Sequence, residues 1–369
     1  MHHLYIHVPF CVRRCSYCDF SIAVRKRIPA DQYVGAIRAE LAGVGELGPL
    51  ETVYVGGGTP SLLPPDAMAA LLRDVVRRPA APHAAEVTLE VNPEDATPGN
   101  AAAWRAAGVN RISLGVQSFN DRVLSWMHRV HDAARARAAV QTLRDAGFEN
   151  LSLDLIFAVP AGLERDWTRD LEEIIALDPE HVSLYGLTVE PRTPLARWMA
   201  RGAAVAPSDE CYAEEYLEAH RRLAVAGYAF YEVSNAAREG RRARHNSAYW
   251  TGRPYLGAGP AAHSFDGRVR RWNLAPWEAY RRAIAAGRTA VASEEDLTPE
   301  QRELEHLYLS LRTAEGVPTG SFPNGTASLV RFEEKGWVVE EAGRVRCTPE
   351  GWLRLDALVG ALTSPGSTS

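Results

Sequence analysis

The sequence has little cysteine: five residues in 369. An odd number without framework spacing argues against a secreted, disulfide-stapled fold. No uninterrupted apolar run reaches the length of a bilayer-spanning helix. The N-terminus, Met1-His2-His3-Leu4, has neither a charged segment nor the apolar stretch of a signal peptide. These absences predict a cytoplasmic protein whose membrane contact is at most peripheral. An excess of basic charge is missing too. With 41 Lys and Arg against 46 Asp and Glu, the net charge of −5 offers no electrostatic case for nucleic acid. Local arginine clusters such as Arg241, Arg242 and Arg244 read as a solvated loop.

The composition that remains is that of a chain able to bury a core, 46% hydrophobic and 24% charged. Its first half alternates strands and helices. Strands are expected at Leu4–Val8, Thr52–Val55, Val87–Val91, Arg111–Val116, Leu151–Phe157 and His181–Leu187. Helices are expected at 31–41, 66–77, 100–107, 132–146 (ended by Gly147) and 165–176. Short, continuously apolar strands are those covered on both faces. Six such units predict a parallel α/β sheet, here a partial (β/α)6 TIM-like barrel, with ligands at the C-terminal ends of the strands. The unusual residues fall at those ends. After residue 190 the rhythm changes: a helix over 208–226, a strand at 228–233, and a Gly- and Arg-rich stretch over 236–266. From Thr298, helices followed by a hairpin at 336–347 suggest a smaller winged-helix-like α+β domain. The expected division is 1–190, a connecting substrate region 191–295 that completes the core, and 296–369, ending in a frayed Ser-Pro-Gly-Ser-Thr-Ser tail.

Three of the five cysteines lie within eight residues, as Cys11-x3-Cys15-x2-Cys18, on one loop after the first strand. Clustered soft thiolates suit zinc or an iron–sulfur cluster. The loop runs from Pro9 to Asp19 and contains Arg13 and Arg14, so it is not apolar core. Structural zinc needs a fourth ligand, which His7 or a remote group would have to supply, since Cys211 and Cys347 are isolated. A [4Fe–4S] cluster on three thiolates leaves one iron open to a small chelating ligand. Gly56-Gly57-Gly58-Thr59-Pro60 follows strand two, where glycines let a carboxylate approach backbone N–H groups. It is neither a P-loop nor a dinucleotide fingerprint. Glu90, Gln117, Arg129 and Asp154 place polar groups in or beside apolar strands, which is costly unless they meet a ligand or one another.

The cysteine spacing, with Tyr17 before the last thiol, resembles the radical S-adenosylmethionine superfamily. The order of Tyr5-Ile6-His7-Val8-Pro9-Phe10-Cys11, Gly-Gly-Gly-Thr-Pro, Glu90-Val91-Asn92-Pro93, Ser113 to Phe119 and Asp154-Leu155-Ile156 is similar to its HemN-like group. That group contains oxygen-independent coproporphyrinogen III oxidases and heme chaperones. The resemblance covers nearly the whole chain. It implies a [4Fe–4S] cluster on Cys11, Cys15 and Cys18, and one or two S-adenosylmethionine molecules. Tyr5, Gly57 and Glu90 would contact the first, and Tyr17 is a further S-adenosylmethionine candidate. Gly58, Thr59, Gln117, Arg129, Asp154 and Thr188 would contact a second. It also implies an electron donor for the cluster.

Two features separate the branches. The oxidases carry a further cysteine two residues after the triad, where this chain has Phe20. The segment His245-Asn246-Ser247-Ala248-Tyr249-Trp250 matches a His-Asn-x-x-Tyr-Trp motif of the chaperone branch, to which heme binding is attributed. On chemistry alone it reads as a cap with aromatics packing a surface turn, though imidazole is a common heme ligand. The resemblance makes His245 the first iron-ligand candidate and His263 the second, with Asn246, Tyr249 and Trp250 alongside. It implies heme or porphyrin as cargo and heme-accepting respiratory proteins as partners. The alternatives are decarboxylation of coproporphyrinogen III to protoporphyrinogen IX and a HemN-like methyltransferase or cyclopropanase. Whether S-adenosylmethionine is turned over is left open by these residues.

Overall fold

The computed structural model describes residues 1–44, 48–76, 85–322 and 326–363. The C-terminal Ser-Pro-Gly-Ser-Thr-Ser segment and Arg77, the expected end of one helix, lie outside the described residues.

Six parallel strands form the centre of one large sheet: β1 (His3–Val8), β2 (Thr52–Gly57), β3 (Glu86–Val91), β4 (Arg111–Gln117), β5 (Leu151–Phe157) and β6 (His181–Gly186). Antiparallel β7 (Ala229–Glu232) and β8 (Asn235–Ala237) extend one edge, and β9 (Leu256–Ala258) pairs in parallel with β1 at the other. The order is β9-β1-β2-β3-β4-β5-β6-β8-β7. Among the described residues the two edges are not joined, so the barrel is partial and open.

The helices between the central strands are α1 (Ala30–Gly43), α2 (Pro65–Val76), α3 (Pro98–Ala106), α4 (Asp121–Trp126), α5 (Ala133–Asp145) and α6 (Trp167–Ala176). Their starts are coded locally. Asp132 and Asp166 each accept a backbone N–H from the first turn of the helix they precede. The end of α5 is set by Gly147, whose φ of +84° is a left-handed turn available to glycine at little cost. Burial along β1, β4 and β5 is broken only at Tyr5, Gln117 and Asp154, as expected of strands covered on both faces.

In the second half of the chain the expected helix over 208–226 and strand over 228–233 are present, at Asp209–Val225 and Ala229–Glu232. Residues 235–266, read from the sequence only as Gly- and Arg-rich, are built of short regular elements. They contain β8, a helix at Arg244–Trp250 and the sheet strand β9. Three-residue strands carry no readable periodicity, and their partners β1 and β6 are distant in sequence. Helices α7 (Pro194–Ala200), α8 (Asp209–Val225), α9 (Arg244–Trp250) and α10 (Trp277–Ala285) accompany this region. A separate three-stranded sheet joins β10 (His263–Phe265), β11 (Val269–Asn273) and β12 (Val291–Asp296). Every residue of β12 is exposed, so no alternation marked it.

Beyond Thr298 lie α11 (Pro299–Leu311), β13 (Val317–Pro318), α12 (Thr326–Glu334) and the expected hairpin of β14 (Val338–Glu341) and β15 (Arg344–Cys347). The hairpin does not end the module. Helices α13 (Pro349–Trp352) and α14 (Leu355–Thr363) follow, the latter burying Leu355, Leu358, Val359 and Leu362 at helical spacing. These side chains belong to the same continuous hydrophobic core as the sheet.

Candidate cofactor site

The cysteine loop leaves β1 and is held at both ends. Phe10–Cys11 pairs with Ala23–Val24, and the Arg25 N–H donates to the Cys11 carbonyl at 2.9 Å. In the middle, the Ser16 N–H donates to Met127 at 3.1 Å, and its carbonyl accepts from Leu195 at 2.8 Å. The loop is thus positioned by backbone bonds that do not involve the thiols.

Beside it a cavity of about 380 Å³ opens over the C-terminal ends of the strands. Of the ten residues expected to hold S-adenosylmethionine, nine line it: Tyr17, Gly57, Gly58, Thr59, Glu90, Gln117, Arg129, Asp154 and Thr188. Tyr5 does not; it stands behind the wall, donating its hydroxyl to His7 Nδ1 at 3.0 Å. Cys15 and Cys18 line the cavity, while Cys11 is buried behind Thr59, whose hydroxyl donates to its sulfur at 3.4 Å.

Glu90 is fixed from two sides. One carboxylate oxygen accepts the Tyr54 hydroxyl and the other the Gly57 N–H, each at 2.9 Å. Burial pushes its carboxyl up to about 7. Asp154 accepts the Ser113 hydroxyl at 3.1 Å and is pushed by burial up to about 6. Both carboxyls ionise later in the folded chain than in the unfolded one. Their contribution to stability therefore falls as pH rises from the ordinary carboxylate range to about 7. Arg129 donates to Asn92 Oδ1 at 2.7 Å and to the Gly115 carbonyl at 2.9 Å, and its Nη1 lies 3.7 Å from the Cys15 sulfur. Its Nε is buried without a partner. Gln117 sits at φ +68°, a strained conformation for a side chain with a Cβ, where the β4–β5 register shifts.

The donor set fits an iron–sulfur cluster better than a single ion. Among the described residues no three His, Cys, Asp or Glu side chains converge on one ion position. His7 is no free fourth ligand, since its Nε2 lies 3.2 Å from the Ser21 carbonyl and its Nδ1 takes the Tyr5 hydroxyl. A cluster takes its thiolates at separate corners, which a spread triad can supply. Burial raises the Cys11 thiol and pushes the Cys18 thiol up to about 11, so metal loading must displace protons. Gly58 makes the close approach possible. A Cβ there would lie 2.8 Å from the Phe10 carbonyl and 2.9 Å from the Cys11 sulfur.

The profile of the Radical SAM superfamily matches residues 5–174. The heme chaperone HemW of Mycobacterium tuberculosis H37Rv is 40% identical over 370 residues, covering 97% of this chain and 94% of that protein. The chain belongs to the HemW family of heme chaperones. The Escherichia coli K12 HemW is 32% identical, with 96% of each chain covered. A solved structure of the Escherichia coli coproporphyrinogen III oxidase HemN superposes with a TM-score of 0.82, covering 98% of this chain at 22% identity. It shares the fold.

In this HemW-family chain, Phe20 stands at the cavity mouth with 59% of its surface exposed. The His-Asn-x-x-Tyr-Trp segment is not a surface turn. It is α9, whose first N–H groups, of Arg244 and His245, each donate to the buried Glu86 carboxylate at 3.0 Å. His245 is sealed, with Nδ1 2.7 Å from the Thr52 hydroxyl and Nε2 2.8 Å from that of Tyr249. Burial lowers its imidazole to about 3, so it stays neutral. With both nitrogens hydrogen-bonded, it offers no free lone pair to an iron in this conformation. Asn246 lies partly exposed on the same helix. His263 is exposed and stacks on Trp272 at 5.8 Å. Sequence reasoning missed Tyr54 and Tyr185. Tyr54 shares its strand face with the neighbouring Glu90 and is legible by alternation. Tyr185, 45% exposed on the cavity wall, was hidden in an apolar strand.

Proposed function

We propose that this protein is a heme chaperone that holds a [4Fe–4S] cluster and S-adenosylmethionine, and passes heme to respiratory proteins in the cytoplasm or at a membrane surface. The observation that carries this reading is the pairing of full-length similarity to heme chaperones with a cavity that joins the cysteine loop, Gly57-Gly58-Thr59 and Glu90. Cys11, Cys15 and Cys18 hold the cluster. Gly57, Glu90 and Tyr17 hold the first S-adenosylmethionine, and Gln117, Arg129, Asp154 and Thr188 offer contacts to a second. When bound and reduced by an electron donor, the cluster supplies one electron for cleavage of a sulfonium. The chain's own residues orient the ligand, exclude water and hold the carboxylates that face its cationic groups. Residues 1–190 carry this site, 191–295 carry most of the cargo region, and 296–369 supply its remaining wall and the surface for acceptor proteins. Among the described residues no helix is long and apolar enough to cross a membrane.

Two assays on one anaerobically reconstituted sample test the proposal. Added hemin is expected to give a stoichiometric Soret band, and coproporphyrinogen III is expected to stay unconverted. Formation of protoporphyrinogen IX would replace the chaperone reading with an oxidase.

The cavity carboxyls predict a pH dependence. S-adenosylmethionine is cationic at its sulfonium, so it favours Glu90 and Asp154 as carboxylates. Affinity is expected to rise with pH up to about 7, the level to which Glu90 is pushed. Below it the loss approaches about tenfold per pH unit for each proton displaced. Calorimetric titration of reconstituted protein checks this, and Glu90→Gln should flatten the profile. A wild-type profile without slope would remove Glu90 from the ligand.

A further inference from the structure

A second cavity, of about 430 Å³, opens between the C-terminal end of α9, the β10–β11 hairpin and α11. It is separate from the cofactor cavity, with Tyr54, His245 and Tyr249 between them. Tyr54 bonds Glu90 on one side, its ring lies 5.2 Å from that of His245, and His245 bonds Tyr249 on the other. The walls are flat aromatics. Tyr249 and Tyr255 meet edge to face at 4.6 Å, and Phe265 follows at 6.4 Å from Tyr255. Trp250 completes them, and Arg312 lies 4.4 Å from its ring centre while pairing with buried Glu232. The Trp250 indole N–H is buried and has no partner.

The opposite wall is one face of α11, with Arg302, Glu305, His306 and Leu309 at positions i, i+3, i+4 and i+7. Arg270 is neutralised there by Glu305 and Glu295. Arg253 pairs with Glu51 at 2.9 Å across exposed surface, a contact of small worth that a ligand carboxylate can replace. Arg302 makes no salt bridge among the described residues. The cavity therefore combines a flat apolar surface, two guanidinium groups and an exposed imidazole. A planar macrocycle with two carboxylates and a central metal has this complementary chemistry.

We propose that this cavity, and not the sealed His245, is the heme site, with His306 as the iron ligand. The inference rests on the heme-chaperone reading and places the cargo in it. The ring lies against Tyr249, Tyr255 and Phe265. Its propionates meet Arg253 and Arg302. Imidazole in neutral form donates its free nitrogen pair to iron. Tyr249 and Trp250 of the sequence motif contribute as walls, while His245 acts as a positioning residue through its bond to Tyr249. The cofactor cavity stays open, so both ligands are held at once.

Hemin titration of the full-length, reconstituted protein tests this, with metal-free protoporphyrin IX as a second probe. His306→Ala is expected to shift the Soret band and weaken hemin binding by about tenfold or more, with protoporphyrin IX binding less affected. Leu309→Trp, at a half-buried position on the cavity-facing side of α11, fills the cavity and should weaken both probes by a similar factor. The Arg253→Ala, Arg302→Ala double variant should weaken both by about tenfold as well. Iron and sulfide content should match the wild type in all three. Wild-type spectra and affinities in His306→Ala and Leu309→Trp would overturn the site but leave the chaperone reading standing. Failure of the wild-type chain to bind hemin would instead overturn the reading itself.

Discussion

Replacing any one of Cys11, Cys15 or Cys18 by alanine is expected to abolish stable cluster incorporation. With only three thiolates on the loop, losing one leaves a cluster with two protein ligands and two open irons. Outer-shell changes alone cost metal sites about 10–100-fold, and loss of a direct ligand should cost at least that. The measurement is iron and sulfide content together with visible charge-transfer absorbance after anaerobic reconstitution. S-adenosylmethionine binding should fall with it, because in the proposed site the open iron would take the amino-acid end of the ligand. The fold should survive. The loop is held by Ser16 backbone bonds and by pairing of Phe10–Cys11 with Ala23–Val24, none of which uses a thiol. Cys211→Ala, a partly exposed position, serves as the control that keeps full iron. Wild-type iron in Cys15→Ala or Cys18→Ala would overturn the cluster assignment.

His245→Ala is expected to act on stability more than on iron ligation. The imidazole is 1% exposed and joins two hydroxyls, those of Thr52 and Tyr249, that lose a partner when it is removed. Stranded hydroxyls cost roughly 1–3 kcal/mol each at most, and the vacated ring leaves a cavity. Part of that loss is recovered because Thr52 keeps His3 at 2.9 Å. The net expectation is about 3–4 kcal/mol, read as a lowered urea midpoint with unchanged slope. Hemin should still give a Soret band at the wild-type wavelength. A fully stable His245→Ala protein with a shifted or missing Soret band would return the iron to His245.

Much of the cofactor site was legible because its signals are local. Three thiols in eight residues, three consecutive glycines at a strand end, and carboxylates set in apolar strands are readable without knowing which strands touch. Parallel β strands put successive C-terminal ends at one rim, so these segments had to meet once the strand–helix alternation was recognised. Tyr5 shows the limit of that reasoning. Its position in β1 was correct, but which side of the cavity wall its ring occupies depends on Tyr54 and His7 packing beside it.

The second half of the chain was less readable for a different reason. The strand β9 is three residues long, and its place in the sheet comes from pairing with β1 across some 250 residues. The His-Asn-x-x-Tyr-Trp segment names its residues but not their environment. Whether His245 faces a ligand or the core was decided by Glu86 capping α9 and by Thr52 meeting the ring, contacts that no local pattern encodes. His306 likewise looks like an ordinary histidine on a charged helix until α11 packs opposite Tyr249 and Tyr255. By itself the sequence determined the chemistry at the strand ends, because residue type and spacing suffice there. Tertiary structure alone decided which imidazole is buried and which is open, because solvent access and hydrogen-bond partners come from segments distant in the chain.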